Sequence, residues 1–166
     1  LMAANLRLPK RIFAHGWWTN EGNKISKSLG NVIDPLEIID KYGLDQLRYF
    51  MLREVPFGND GDFSITALEG RINSDLANDL GNLCQRSLSM ATKHLNNEIQ
   101  CMPLDGTELR ILQSAIDLNN ELKELVIMQN ISDYIKAVWD LINISNRYFN
   151  ESEPWKIVKT DIKQFN

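Results

Sequence analysis

Apolar residues follow two different patterns along the chain, one before about residue 63 and one after it. The segment "RIFAHGWWT" is rich in β-branched and aromatic residues and is followed by the turn-like "NEGN", which predicts a strand, a turn and a short return strand. The next segment, "GNKISKSLGN", has a glycine near each end, Gly22 and Gly30, and is predicted to be a loop. These patterns together predict a small β-hairpin that carries a loop.

Two helices are predicted to complete this first part. In "NVIDPLEIIDKYG", Asp34 suits the N-cap, Pro35 suits the first helical position, and Gly43 lies just past the end. The segment "LDQLRYFMLREV" predicts a second helix, which Pro56 and Gly58 end. The segment "FGNDGDF" that follows is predicted to be a loop.

After Ser64 the apolar spacing is helical almost throughout, which predicts three long antiparallel helices and the start of a fourth. Pro154 blocks the third long helix, and the last helix begins near Trp155. The predicted fold class is mainly α, with a short β-hairpin and loop-bearing segment (residues 1–63) followed by an antiparallel helical bundle (residues 64–166) that is truncated at its C-terminus. The predicted N-caps of the bundle helices are Ser64, Thr107, and Ser132 or Asp133.

The predicted helix from Ser74 to about Leu95 has an apolar face and a polar face. At ~100° per residue, the polar face carries Asp75, Asn78, Asp79, Asn82, Arg86, Ser89 and Lys93. Asn82 and Arg86 are four residues apart and are therefore neighbours on that face. An amide beside a guanidinium can read the hydrogen-bonding edge of an unpaired base, although a solvated helix face has the same composition.

The composition limits the classes of function. The chain has 166 residues, of which 43% are apolar and 24% charged, as in globular proteins. Its formal net charge is −4, and this charge lies in residues 64–166 because residues 1–63 are balanced. A protein that held nucleic acid by bulk charge would be basic, so any such contact here is predicted to be local. No apolar run approaches the ~20 residues of a membrane span.

The cysteines and histidines do not form a metal-binding pattern. Cys84 and Cys101 do not form a C-x-x-C pair, and neither has a histidine at metal-ligand spacing, which predicts a reduced cytosolic protein without a zinc site. No other metal site is expected in this chain. His15 and His94 are isolated from each other. The N-terminal residues contain neither a secretory signal nor an obvious initiator start, so the chain is expected to begin partway through a longer protein.

The lysine loop "KISKS" has a composition that suits phosphate. Lys24 and Lys27 are flexible point charges with three donors each, Ser26 and Ser28 add hydroxyl groups, and the flanking glycines let the backbone close over a ligand. Such a loop could neutralise the charge that develops when pyrophosphate leaves a nucleotide. On spacing alone, a solvated basic turn remains the alternative.

The context of the loop resembles a known family. The segment "HGWWTNEGNKISKSLGN" is similar to the second signature of class I aminoacyl-tRNA synthetases, lysine-methionine-serine-lysine-serine, with Ile25 in place of methionine. The helical segment "DPLEIIDKYGLDQLRYFML" resembles the one that follows this loop in the family. The resemblance implies that Lys27 binds ATP phosphates with the help of Lys24, Ser26 and Ser28, and that Mg²⁺ accompanies ATP in the longer enzyme.

Two later stretches resemble the methionyl-tRNA synthetase family within that class. They are "FGNDGDFSITALEGRINSDLANDLGNLCQR" and "ESEPWKIVK". The resemblance implies that Asn82, Arg86 and Trp155 recognise the CAU anticodon of tRNA(Met). From the residues alone, Trp155 could equally cap the bundle core. The other tryptophans, Trp17, Trp18 and Trp139, are predicted to be packing residues.

The first class I signature, the nucleotide-binding sheet and the methionine pocket of the family have no counterpart in this sequence. The chain is therefore expected to be a C-terminal part of a cytoplasmic methionine–tRNA ligase, which activates methionine with ATP and transfers it to tRNA. Residues 1–63 would be the end of the catalytic domain, and residues 64–166 an incomplete anticodon-binding domain. By itself the chain is not expected to be catalytically competent. The alternatives are a stand-alone, non-catalytic tRNA-binding module and a synthetase for another apolar amino acid.

Overall fold

The computed structural model describes residues 1–95, 98 and 106–160. Helices make up most of the described residues, and a small three-stranded sheet lies near the N-terminal end. The predicted fold class, mainly α with a short β-hairpin, is confirmed. Most of the predicted linker "NNEIQCMPLDG" and the end of the last predicted helix lie outside the described residues.

The sheet has the order β2-β1-β3. Strands β1 (Trp18–Asn20) and β2 (Asn23–Lys24) form the predicted antiparallel hairpin, although β1 begins later than the apolar pattern suggested. Strand β3 (Gly61–Phe63) pairs in parallel with β1. The loop prediction for "FGNDGDF" is therefore wrong at its end. Glycine and aspartate are unfavourable in strands, and here the open edge of β1, more than 40 residues earlier, supplies the pairing partner.

Helices α1 (Pro35–Tyr42) and α2 (Leu44–Arg53) follow the lysine loop. The Asp34 side chain accepts a hydrogen bond from the Leu36 N–H group, which confirms the predicted N-cap of α1. Gly43 separates the two helices with a φ of 99°, a conformation that an L side chain rarely adopts. The two predicted helices are therefore both confirmed.

A continuous helical run starts at Ser64, whose hydroxyl accepts from the Ala67 N–H group as predicted. It consists of α3 (Ile65–Arg71), a π-helical segment (Ile72–Gly81) and α4 (Asn82–Leu95). A π-helix closes its hydrogen bonds from i to i+5, so its turns hold more residues than those of an α-helix. Side chains before and after the segment consequently do not share the faces that a regular helical wheel assigns to them.

Asp75 shows the consequence of the π-helical segment. The regular wheel placed Asp75 on the exposed polar face, and this prediction is wrong, because Asp75 is only 8% exposed. Its carboxylate accepts hydrogen bonds from the Tyr49 hydroxyl at 2.7 Å and the Ser74 hydroxyl at 2.7 Å, and pairs with the Arg71 guanidinium at 3.3 Å. Asp75 thereby links α2 to the helical run.

The remaining helices are α5 (Gly106–Ile127), α6 (Ile131–Ser152) and α7 (Pro154–Thr160). Helix α5 packs along α6, and α6 also packs against α2, the π-helical segment and α4. Pro154 begins α7, which confirms the predicted break. The caps predicted for α5 and α6 differ from the structure: Thr107 lies within α5, and α6 starts after Asn130, ahead of Ser132 and Asp133.

The core of the described residues joins the sheet to the first helices. Ile38, Phe50, Phe63 and Leu68 are buried together, with Trp18 packed against them. The Phe50 and Phe63 rings meet edge to face at 5.5 Å between centroids, a favourable aromatic geometry. This core fixes the hairpin and α1 on either side of the lysine loop.

Candidate functional sites: the lysine loop and the Arg86 face

The lysine loop connects β2 to α1 and contains one short 3-10 turn, Lys27–Leu29. The Ser26 hydroxyl caps this turn by accepting a hydrogen bond from the Leu29 N–H group at 3.3 Å. Gly30 ends the turn in the left-handed conformation, with a φ of 66°. The sequence therefore forms a compact loop in which Lys27 opens a capped turn.

The four predicted ATP-binding side chains all lie in this loop. Lys24, the last residue of β2, and Lys27 are exposed, as is Ser28, whereas Ser26 is half-buried. The Ser26 and Ser28 hydroxyl oxygens lie 2.7 Å apart and share a hydrogen bond. Both ammonium groups are thus accessible to a ligand, while the two serine hydroxyl groups are hydrogen-bonded to each other.

Ile25 anchors the loop between the two lysines. It is half-buried and lines an apolar cavity of about 250 Å³ together with Trp18, Ile33 and Ile38. It also borders an open cavity of about 460 Å³ that is lined by Trp17, Trp18, Thr19 and Lys24. An isoleucine can fill the position that methionine takes in the family signature, because both are apolar and similar in volume.

The hairpin that carries the loop is held by Asp62 of β3. The Asp62 carboxylate accepts hydrogen bonds from the Thr19 hydroxyl at 2.5 Å and the Gly22 N–H group at 2.8 Å. These two bonds lower the pKa of Asp62 below its usual range, so the carboxylate stays ionised. Asp62 therefore fixes the turn between β1 and β2. This role was not predicted, because the segment "FGNDGDF" that contains Asp62 was predicted to be a loop.

The second predicted site centres on the Arg86 guanidinium. Its carbon lies 4.5 Å from the centroid of the Phe149 ring and 5.7 Å from that of Trp155, within the range of cation–π contacts. One of its N–H groups donates to Asn150 Oδ1 at 2.7 Å. Arginine has five N–H donors, so this bond leaves donors for a ligand. We call Asn82, Arg86, Phe149, Asn150 and Trp155 the Arg86 face.

The structure brings the predicted residues Arg86 and Trp155 together. Trp155 is the second residue of α7, is 38% exposed, and lies with its ring centroid 6.3 Å from that of Phe149. Asn82 is the first residue of α4, one turn before Arg86, and its side chain is exposed. The exposed amide of Asn82, the guanidinium of Arg86 and the partly exposed ring of Trp155 thus lie around the N-terminal half of α4.

Two residues of the Arg86 face were not predicted from the sequence. Phe149 and Asn150 lie near the end of α6, more than 60 residues from Arg86, so no local pattern connects them. The sequence feature that could have pointed to Phe149 is its position, as an aromatic residue six positions before Trp155. The packing prediction for Trp17 is wrong, because its side chain is 80% exposed, whereas Trp18 packs on the core and Trp139 on Tyr49.

In the described part of the chain, no group of three or more His, Cys, Asp or Glu side chains is placed to hold a metal ion. Among the described helices, none is both long and apolar enough to cross a membrane.

Comparison with known proteins gives the class. The family described as "tRNA synthetases class I (M)" matches residues 1–88, which include the whole lysine loop and Arg86. The chain belongs to this family of class I tRNA synthetases.

Within the class, the chain is similar to methionine–tRNA ligases. It is 48% identical to the methionine–tRNA ligase of Brucella suis over 97% of the chain, and 45% identical to that of Caldanaerobacter subterraneus over 99%. The chain spans only 32% and 26% of the length of these two relatives.

Solved structures show the same relationship. The methionyl-tRNA synthetase of Mycobacterium tuberculosis in complex with methionyl-adenylate matches with a TM-score of 0.91 and 41% identity, over 99% of this chain and 32% of that protein. The free form of the same synthetase matches with a TM-score of 0.84 and 38% identity, over 96% of this chain and 31% of that one.

Proposed function

We propose that the chain forms part of a cytoplasmic methionine–tRNA ligase, which activates methionine with ATP and transfers it to tRNA(Met). Residues 1–63 supply the lysine loop at the end of the catalytic domain, and residues 64–166 supply the anticodon-binding bundle. The observation that carries the proposal is the contact of the Arg86 guanidinium with the Trp155 ring, in a chain that also holds the lysine loop.

The lysine loop acts on the ATP phosphates. In the activation step, a carboxylate oxygen of methionine bonds to the α-phosphorus, the bond to the bridging oxygen breaks, and its electron pair leaves with pyrophosphate. Lys27, assisted by Lys24, stabilises the negative charge that grows on the leaving oxygens. The exposure of both lysines supports this role. Ser26 and Ser28 provide hydroxyl donors once their mutual hydrogen bond is exchanged for bonds to phosphate.

The Arg86 face reads the anticodon loop. Asn82 and Arg86 present amide and guanidinium donors to the edges of unstacked bases, and Trp155 provides a ring on which a base stacks. Because the chain has a net charge of −4, affinity for RNA depends on these local contacts more than on bulk charge. The stacking of Arg86 on two aromatic rings supports the assignment, since it preorganises a flexible side chain before RNA binds.

The test is the activity of the longer protein that contains this chain. We expect pyrophosphate exchange with methionine, but not with leucine, isoleucine or valine, and charging of a tRNA that has a CAU anticodon. Exchange with another apolar amino acid would indicate a different synthetase. RNA binding without any exchange would indicate a non-catalytic tRNA-binding module. The 166-residue chain alone should show no exchange.

A further inference from the structure

The side chain of Asn31 closes the base of the lysine loop. Its Oδ1 accepts a hydrogen bond from the Ser26 N–H group at 2.9 Å, and its Nδ2 donates to the Lys24 carbonyl oxygen at 3.0 Å. Both partners are backbone groups of fixed polarity, so the orientation of the amide is unambiguous. The Asn31 side chain therefore makes one bond to a backbone N–H group and one to a backbone carbonyl oxygen of residues 24–26, as the backbone of a paired strand would.

Asn31 is itself held by β1. The Asn20 Nδ2 donates to the Asn31 carbonyl oxygen at 2.9 Å, and Asn20 lies in the strand that packs on the core through Trp18. The loop base is thus connected to the rigid part of the molecule through two asparagines.

The Asn31 bonds determine the placement of the lysines. Lys24 carries the carbonyl group that Asn31 holds, and Ser26 carries the N–H group that Asn31 holds. Ser26 in turn caps the turn that Lys27 begins. Without the Asn31 side chain, a loop with Gly22 and Gly30 at its ends would sample many backbone conformations, and both ammonium groups would move with it.

We propose that Asn31 is a positioning residue that fixes Lys24 and Lys27 for the activation step. It touches neither ATP nor the reacting atoms, and it acts through the backbone of residues 24–26. This inference rests on the proposed role of the lysine loop.

The first test is amide hydrogen exchange of the 166-residue chain, measured by NMR. In Asn31→Ala the Ser26 amide should exchange ~5-fold faster or more, the change expected for one lost hydrogen bond. In Asn31→Asp the acceptor for Ser26 remains, while an oxygen now faces the Lys24 carbonyl, so the Ser26 amide should keep most of its protection. Asn23→Ala is the matched control, because the Asn23 side-chain amide donates to the Glu21 carbonyl oxygen, two residues earlier in the hairpin turn.

The second test is pyrophosphate exchange by the longer ligase. Asn31→Ala should lower kcat ~10- to 100-fold, as misplaced catalytic groups do, with little change in the methionine KM. The midpoint of thermal unfolding should change little, because Asn31 lies outside the buried core. Asn20→Ala should lower kcat less, and the double variant should equal Asn31→Ala, since both residues act along one path.

The outcomes separate this inference from the proposed function. If Lys27→Ala lowers kcat while Asn31→Ala changes neither kcat nor Ser26 exchange, the loop is catalytic and the positioning inference is wrong. If Asn31→Ala speeds Ser26 exchange but leaves kcat unchanged, the Asn31 hydrogen bonds hold the loop without any effect on catalysis, and the inference is again wrong. If Lys27→Ala leaves kcat unchanged, the proposed role of the loop fails, and the inference fails with it.

Discussion

The lysine loop and the Arg86 face are positioned in opposite ways. The hydrogen bonds within the loop and at its base join residues close in sequence, from two residues apart for Ser26 and Ser28 to 11 for Asn20 and Asn31. The long-range bond from the Gly22 N–H group to Asp62 holds the hairpin turn that precedes the loop. The bond from Arg86 to Asn150 joins residues 64 apart and requires α4 and α6 to be packed correctly. A change in the loop should therefore have local effects, whereas the Arg86 face depends on the whole bundle.

The largest effect is expected at the loop. Lys27→Ala in the longer ligase should lower the rate of methionine activation by ~10²–10³, the usual cost of removing one preorganised electrostatic donor. The methionine KM should hardly change, because the interaction is made in the transition state. Pyrophosphate exchange measures both. Lys93→Ala, at an exposed position of α4, is the control. An unchanged rate with a raised methionine KM would show that Lys27 has another role.

The next effect tests the polar part of the Arg86 face. Arg86→Ala or Asn82→Ala should weaken binding of a CAU anticodon stem-loop ~10- to 100-fold, because a base-edge contact contributes ~1–3 kcal/mol. Binding of a stem-loop with an altered first anticodon base should change much less. Arg110→Ala provides a control, since that arginine is exposed on α5. Equal losses for both stem-loops would indicate that these residues contact the RNA backbone.

Trp155→Ala should weaken both stem-loops by a similar factor of ~10, because every base offers a π face for stacking. The measurement is the same binding titration. Trp17 is the matched control, since it is an exposed tryptophan outside the bundle, and Trp17→Ala should leave stem-loop binding unchanged. Should Trp155→Ala bind both stem-loops as tightly as the parent chain, Trp155 would be a packing residue of α7.

The smallest effect concerns Asp75, which joins α2 of the first part to the helical run. Burial alone would raise the pKa of Asp75, but hydrogen bonds from Tyr49 and Ser74 and the charge of Arg71 hold it below the usual range. The ionised form is thus the one that the fold stabilises. This stabilisation is present above the unfolded value of ~3.9 and is lost as the pH falls through the lower folded value.

Asp75→Asn should therefore lower the free energy of unfolding by ~1–2 kcal/mol at pH 7. The difference from the parent chain should shrink as the pH falls below ~4. Urea unfolding at pH 7 and pH 3 measures this difference. Asp117→Asn, at an exposed site on α5, is the control. A difference that stays constant between the two pH values would mean that the Asp75 charge does not contribute.

Much of the fold could be predicted from the sequence because its signals are local. The cap of α1 depends on Asp34 and Pro35, and the cap of α3 on Ser64, which all act within a few residues. The third strand could not be predicted, because Gly61 and Asp62 become a strand only through pairing with β1. The buried position of Asp75 was missed since a helical wheel assumes a regular α-helix throughout.

The sequence by itself determined the composition of the lysine loop, the helical pattern and the positions of Asn82 and Arg86 one turn apart on one helix, since each depends on residues close in sequence. Only the tertiary structure decided that Arg86 stacks on Phe149 and Trp155 and bonds to Asn150. The physical reason is that these contacts arise where α4, the end of α6 and the start of α7 meet. The relative rotation of those helices depends on side-chain packing and on the π-helical segment, and no short stretch of sequence encodes it.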